Sequence, residues 1–116
     1  MRRTNTTYSG AWLAMKTGVE PRAIDARRRA GELLGIPAGK GVDYLYPSWQ
    51  FDESGEALPG IARIVQAGRQ AGLDDQGLHD LLQRRDGLTG PGRLFDSVRE
   101  GRTERALEVI RAAGPG

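Results

Sequence analysis

Residues 21–47 read PRAIDARRRAGELLGIPAGKGVDYLYP, and the order of signals in this stretch decides the fold. Pro21 stands where a first helical position belongs, because its fixed φ suits a helix start and its missing N–H is not needed there. The spacing predicts a helix from Pro21 to about Arg29, closed by Gly31 as a C-terminal cap. Behind it, residues 32–36 and 42–46 flank a turn-rich tip, Gly39-Lys40-Gly41. The second of these segments is rich in strand formers, so the pair reads as a β-hairpin ended by Pro47.

Working towards the amino terminus, Ser9 is placed to cap a short helix whose apolar side is Ala11, Trp12, Leu13, Ala14 and Met15. Gly18 interrupts it. The spacing Ala14, Gly18, Ile24 is what a helix-turn-helix needs. It puts a small residue where the helices cross, a glycine where the backbone turns left-handed, and an apolar residue to lock the second helix. Val19 adds an apolar contact at the turn. Helix, turn, basic helix and hairpin in this order predict a winged helix-turn-helix over residues 9–51.

On a helix from Pro21, the residues Arg22, Asp25, Ala26 and Arg29 share the face opposite Ile24. Such a face enters a DNA major groove, where an arginine gives a guanine edge two hydrogen bonds. Arg27 and Arg28 flank the core stripe and are expected on phosphates. So are Lys40 on the hairpin tip and Arg2 and Arg3 on the amino-terminal arm. The competing reading makes the triple arginine a solvated helix end, where cations favour the dipole terminus. The aromatics Trp12, Tyr44, Tyr46, Trp49 and Phe51 are suited to stacking on bases, but around a small hairpin they are read as core.

Residues 9–51 resemble the winged helix-turn-helix of MerR and excisionase proteins. In that type a glycine-and-leucine step follows the recognition helix, and a Tyr-x-Tyr-Pro strand closes the wing. Here the matching residues are Gly31, Leu33, Tyr44, Tyr46 and Pro47.

Outside this block, residues 1–8 read as a flexible basic arm and residues 52–58 as a linker without periodicity. Residues 59–116 read as helical. Ile61, Ile64, Val65 and Gly68 fall on one face, Leu78, Leu81 and Leu82 on another, with Asp74 as an N-cap between them. Two short helices follow, roughly 93–99 and 103–113. The fold class expected is therefore α+β, mainly helical: a winged helix-turn-helix followed by a small all-helical region for dimerisation or partner binding. Leu94, Phe95 and Val98 sit in elements too short to bury them alone, which makes them candidates for a partner surface.

The stretch from Leu88 onwards also resembles the toxin-binding domain of Xre/MbcA/ParS-type antitoxins, through Leu88, Gly90, Phe95, Asp96, Val98, Arg99, Gly101, Val109 and Gly114. It departs from that pattern at Leu94, where the family usually has proline. The resemblance implies an antitoxin that neutralises a RES-domain, NAD-degrading toxin and represses its own promoter as a dimer or larger assembly. The implied partner-binding residues are Leu88, Gly90, Leu94, Phe95, Val98, Arg99, Gly101 and Gly114. The alternative is a stand-alone regulator or excisionase-like factor whose helical tail makes dimers.

Composition narrows the classes. Residues 1–50 hold eight Lys or Arg against four Asp or Glu, and residues 51–116 hold nine against eleven. A basic first half fits double-stranded DNA. The absence of cysteine excludes disulfides and thiolate metal sites. No apolar run follows the start, so a cytoplasmic protein without a membrane span is expected. The single histidine, His79, lies among leucines and is read as packing rather than as a general base. Asp74 and Asp75 are read as capping residues. No metal-ligand spacing and no phosphate loop occur, so neither an enzyme nor a cofactor is expected.

Overall fold

The computed structural model describes residues 7–38, 44–84 and 93–113. The chain is α+β and mainly helical. It divides into two compact units between Leu58 and Pro59.

The first unit opens with strand β1 (Thr7–Ser9), then helices α1 (Gly10–Thr17) and α2 (Pro21–Arg29), then strands β2 (Ile36–Pro37) and β3 (Tyr44–Pro47). Local chemistry sets the helix ends. The Ser9 hydroxyl accepts from the Trp12 N–H at 3.0 Å, capping α1. Gly18, at φ 78°, ends it with its N–H on the Ala14 carbonyl. Pro21 opens α2. At its other end, Gly31 N–H reaches the Arg28 carbonyl and Glu32 N–H the Arg27 carbonyl, a Schellman closure.

The sheet is antiparallel in the order β1-β3-β2, with Tyr8 opposite Tyr46 and Ile36 opposite Leu45. Residues 7 and 8 are thus a strand paired to β3, not part of a flexible arm. The segment before the hairpin tip is extended only at Ile36–Pro37. Leu33 and Leu34 are instead buried in a loop. The core joins Leu13, Ala14, Ile24, Leu33, Tyr46 and Phe51.

Residues 52–58 are built into this unit. The Asp52 carboxylate accepts from Ser54 N–H, Ser54 Oγ–H and Glu56 N–H, closing a tight turn. Phe51 then bridges to Ala57. With Asp52, Glu53 and Glu56 counted in the first unit, eight Lys or Arg face seven Asp or Glu there, and nine face eight in the second. The charge asymmetry seen at residue 50 disappears at the structural boundary.

The second unit holds α3 (Ile61–Gln70), α4 (Asp75–Leu82), α5 (Leu94–Arg99) and α6 (Thr103–Ala113). Helix α6 packs on α3 and α5, and α4 packs on all three. Gly68 lets Leu78 approach so closely that a Cβ there would lie 2.8 Å from a leucine methyl. Asp74 caps α4 by accepting from Gly77 N–H at 2.8 Å. Among the described residues, no helix is long and apolar enough to cross a membrane.

His79 lies on α4, buried, and its Nδ1 has no hydrogen-bond partner among the described residues. Burial pushes its pKa below the ordinary 6.5. The unfolded chain therefore takes up a proton that the folded one resists. Stability is complete above about pH 6.5 and declines as pH falls below it. Because His79 is the only histidine, urea melts between pH 7 and pH 5 isolate it. We expect the midpoint to fall across that window in the native chain and to stay level in His79→Leu.

Candidate nucleic-acid interface

The geometry of α2 sorts its residues into three roles. Ile24 points into the core. Arg22, Ala26 and Arg29 are exposed on the opposite side, with Asp25 half-buried beside them. The Arg22 side chain is 88% exposed and its Nε lies 3.1 Å from Glu20 Oε1. The Arg29 side chain is 66% exposed, and its Nη2 lies 3.0 Å from Asp25 Oδ2.

Arg28 turns inward. Its side chain is only 12% exposed, pairs through Nη2 with Asp25 Oδ1, and lies over the Tyr44 ring at 3.6 Å. The Tyr46 hydroxyl also pairs with it. Gly35 makes room, since a Cβ there would come within 2.6 Å of Arg28 Cδ. Arg28 therefore clamps α2 to β3, and the phosphate contact expected of it does not fit this placement. The reason lies in Tyr44 and Tyr46, which offer a desolvated aromatic and hydroxyl seat that the helix period alone does not reveal. Arg28 also holds the Asp25 carboxyl below its usual range, chiefly through their hydrogen bond.

Arg27 is partly covered, with its Nη1 4.0 Å from Glu56 Oε1 of the Asp52 turn. Every arginine of α2 thus has a carboxylate neighbour. Arg2, Arg3 and Lys40 lie outside the described residues. Beside α2, a groove of about 440 Å³ is lined by Gly10, Pro21, Asp25, Ala38, Tyr44 and Leu45, among others.

The aromatics divide. Tyr46, Trp49 and Phe51 are buried, as a core requires. Trp12 is not core: it is 38% exposed and stacks on Tyr8 at 4.2 Å. Its ring partner Tyr8 lies on β1, a strand that the residue pattern does not announce.

In the second unit, the candidate partner residues Leu94, Phe95 and Val98 are buried. The helices α4 and α6 supply the cover that α5 alone lacks, so these side chains present no partner surface. Asp96 accepts from Arg93 N–H at 2.9 Å and caps α5. Gly101, at φ 87°, closes α5 through bonds from Gly101 N–H to Val98 and from Arg102 N–H to Ser97. Arg99 is exposed. Leu88, Gly90 and Gly114 lie outside the described residues. Among the described residues, no group of three or more His, Asp or Glu is placed to hold a metal ion.

The fold defined by these two units has a counterpart among solved structures. The chain is similar to Rv2175c, whose structure was determined by NMR, with a TM-score of 0.79 over 99% of this chain and 85% of that one. At 17% identity, the likeness speaks for the fold. No family model matches the chain. No curated protein matches it significantly.

Proposed function

We propose that the chain is a DNA-binding regulator whose first unit works as a winged helix-turn-helix. In this reading α1 and α2 form the helix pair, α2 enters the major groove, and β2 and β3 are the wing. The observation that carries it is the alignment of Arg22, Ala26 and Arg29, exposed on one face opposite buried Ile24, on a helix flanked by an antiparallel hairpin. Two arginines separated by a small residue present bidentate donors without a steric block between them.

The target is double-stranded DNA, with the chain's own promoter as the first candidate. The near-neutral balance of the unit and the carboxylates beside each α2 arginine make for weak binding by one copy. Assembly of two copies on an inverted repeat raises it through effective concentration. Of the two roles expected for the second half, we favour the stand-alone regulator with a self-contained helical domain. Of the eight partner residues that the antitoxin reading names, Leu94, Phe95 and Val98 are buried, which removes those three from its support.

The test is binding to upstream DNA across a salt series. With three or four cations left for phosphates, the slope of log K against log salt should be about −3. Arg22→Ala/Arg29→Ala should bring the specific site to within a few fold of random duplex, a loss of roughly 30-fold or more. Flat, negligible binding at every salt concentration removes this function.

A further inference from the structure

Asp25 is the feature of the α2 face that phosphate binding alone does not explain. It stands between Arg22 and Arg29 on the side proposed to meet DNA, where a carboxylate repels the phosphate backbone. Anchoring Arg28 is not a sufficient reason for it, because Arg28 already lies over Tyr44 and pairs with Tyr46. The same carboxylate reaches outward as well, with Oδ2 on Arg29 Nη2 at 3.0 Å. It remains 40% exposed.

We propose that Asp25 sets base preference by accepting a hydrogen bond from a cytosine amino group while fixing Arg29 on the guanine edge of a neighbouring base pair. The proposal rests on the DNA-binding reading above. A carboxylate has about four acceptor positions, and the two arginine contacts leave room for another donor. In the major groove, cytosine N4 is the amino donor suited to Asp, and guanine O6 and N7 are the acceptors suited to Arg. One helical turn from Asp25 to Arg29 rises about 6 Å, while base pairs stack about 3.4 Å apart. Side chains at that spacing reach adjacent pairs. Pairing with Asp25 also limits the rotamers of Arg29 before DNA arrives, so less freedom is lost on binding. The ligand class follows: half-sites in which a guanine and a cytosine occupy neighbouring pairs.

The experiment is site selection by the full chain from a random duplex library, followed by affinities for the selected site and for scrambled duplex. Native chain should enrich neighbouring guanine and cytosine. Asp25→Asn should bind the native site about tenfold more weakly and scrambled duplex equally or more tightly, since a repelling charge is gone. Its preference at the cytosine position should move to adenine, whose N6 and N7 match an asparagine amide. A merely structural Asp25 would not produce that change of base. Arg29→Lys, which keeps the charge but loses the planar fork, should relax the guanine position and retain the cytosine. Retention of cytosine by Asp25→Asn, or an equal loss on all duplexes, overturns the proposal while leaving DNA binding intact. Failure of the native chain to bind any duplex instead overturns the DNA-binding reading itself.

Discussion

Phe95→Ala is expected to unfold the second unit rather than to weaken a partner contact. Phe95 is 0% exposed and belongs to a helix of six residues that has little stability of its own. Truncating a buried phenylalanine costs about 3–5 kcal/mol, and a domain of this size has about 5 kcal/mol or little more to lose. The chain offers a clean way to see where the damage falls. Both tryptophans, Trp12 and Trp49, lie in the first unit, whereas most described helical residues lie in α3–α6. Far-ultraviolet circular dichroism therefore follows the second unit, and tryptophan fluorescence follows the first. We expect the urea midpoint by dichroism to collapse in Phe95→Ala. An unchanged midpoint would mean that the side chain is not core, and would restore the partner-surface reading.

What was legible in the sequence is what neighbouring residues determine. Ser9, Gly31 and Asp74 mark helix ends through bonds spanning three to five residues and Pro21 through its fixed φ, and the structure uses each at that end. The buried faces of α3 and α4 follow from the helical period for the same reason. The failures are all non-local. Strand β1 is three residues long and mostly exposed, and it is a strand only because Tyr46 pairs with Tyr8. Residues 52–58 look like a linker until the Phe51–Ala57 bridge is known. The Asp25–Arg28–Arg29 spacing is visible in the chain, but the seat that turns Arg28 inward comes from Tyr44 and Tyr46. Burial of Leu94, Phe95 and Val98 likewise depends on α6, a helix legible in the sequence whose packing against α5 is not. The charge asymmetry is lost for a related reason, because a boundary drawn eight residues early assigns three acidic residues to the wrong unit.

Gln50 is the residue that no pattern in the sequence singles out, and its replacement should have the second large effect. It is completely buried. Its amide meets one residue twice: Leu34 N–H donates to Oε1 at 2.9 Å, and Nε2 donates to the Leu34 carbonyl at 2.8 Å. A further bond runs from Nε2 to the Pro47 carbonyl at 3.2 Å. The side chain thus serves as a strand partner for a loop residue that no strand reaches. Gln50→Leu keeps most of the volume and strands a buried donor and acceptor, each costing about 1–3 kcal/mol. The expected loss is about 2–5 kcal/mol, read by tryptophan fluorescence. Gln50→Glu separates the hydrogen bonds from the packing. At neutral pH its carboxylate still accepts from Leu34 N–H, but it cannot donate to the carbonyl and carries a buried charge. Burial raises a carboxyl pKa in the folded state, so this variant should regain stability as pH falls towards 4 to 5, where protonation restores a donor. The glutamate variant should thus recover as its carboxyl protonates, whereas the leucine variant should not. Equal, pH-independent losses in both would show that shape rather than the Leu34 bonds holds this loop in place.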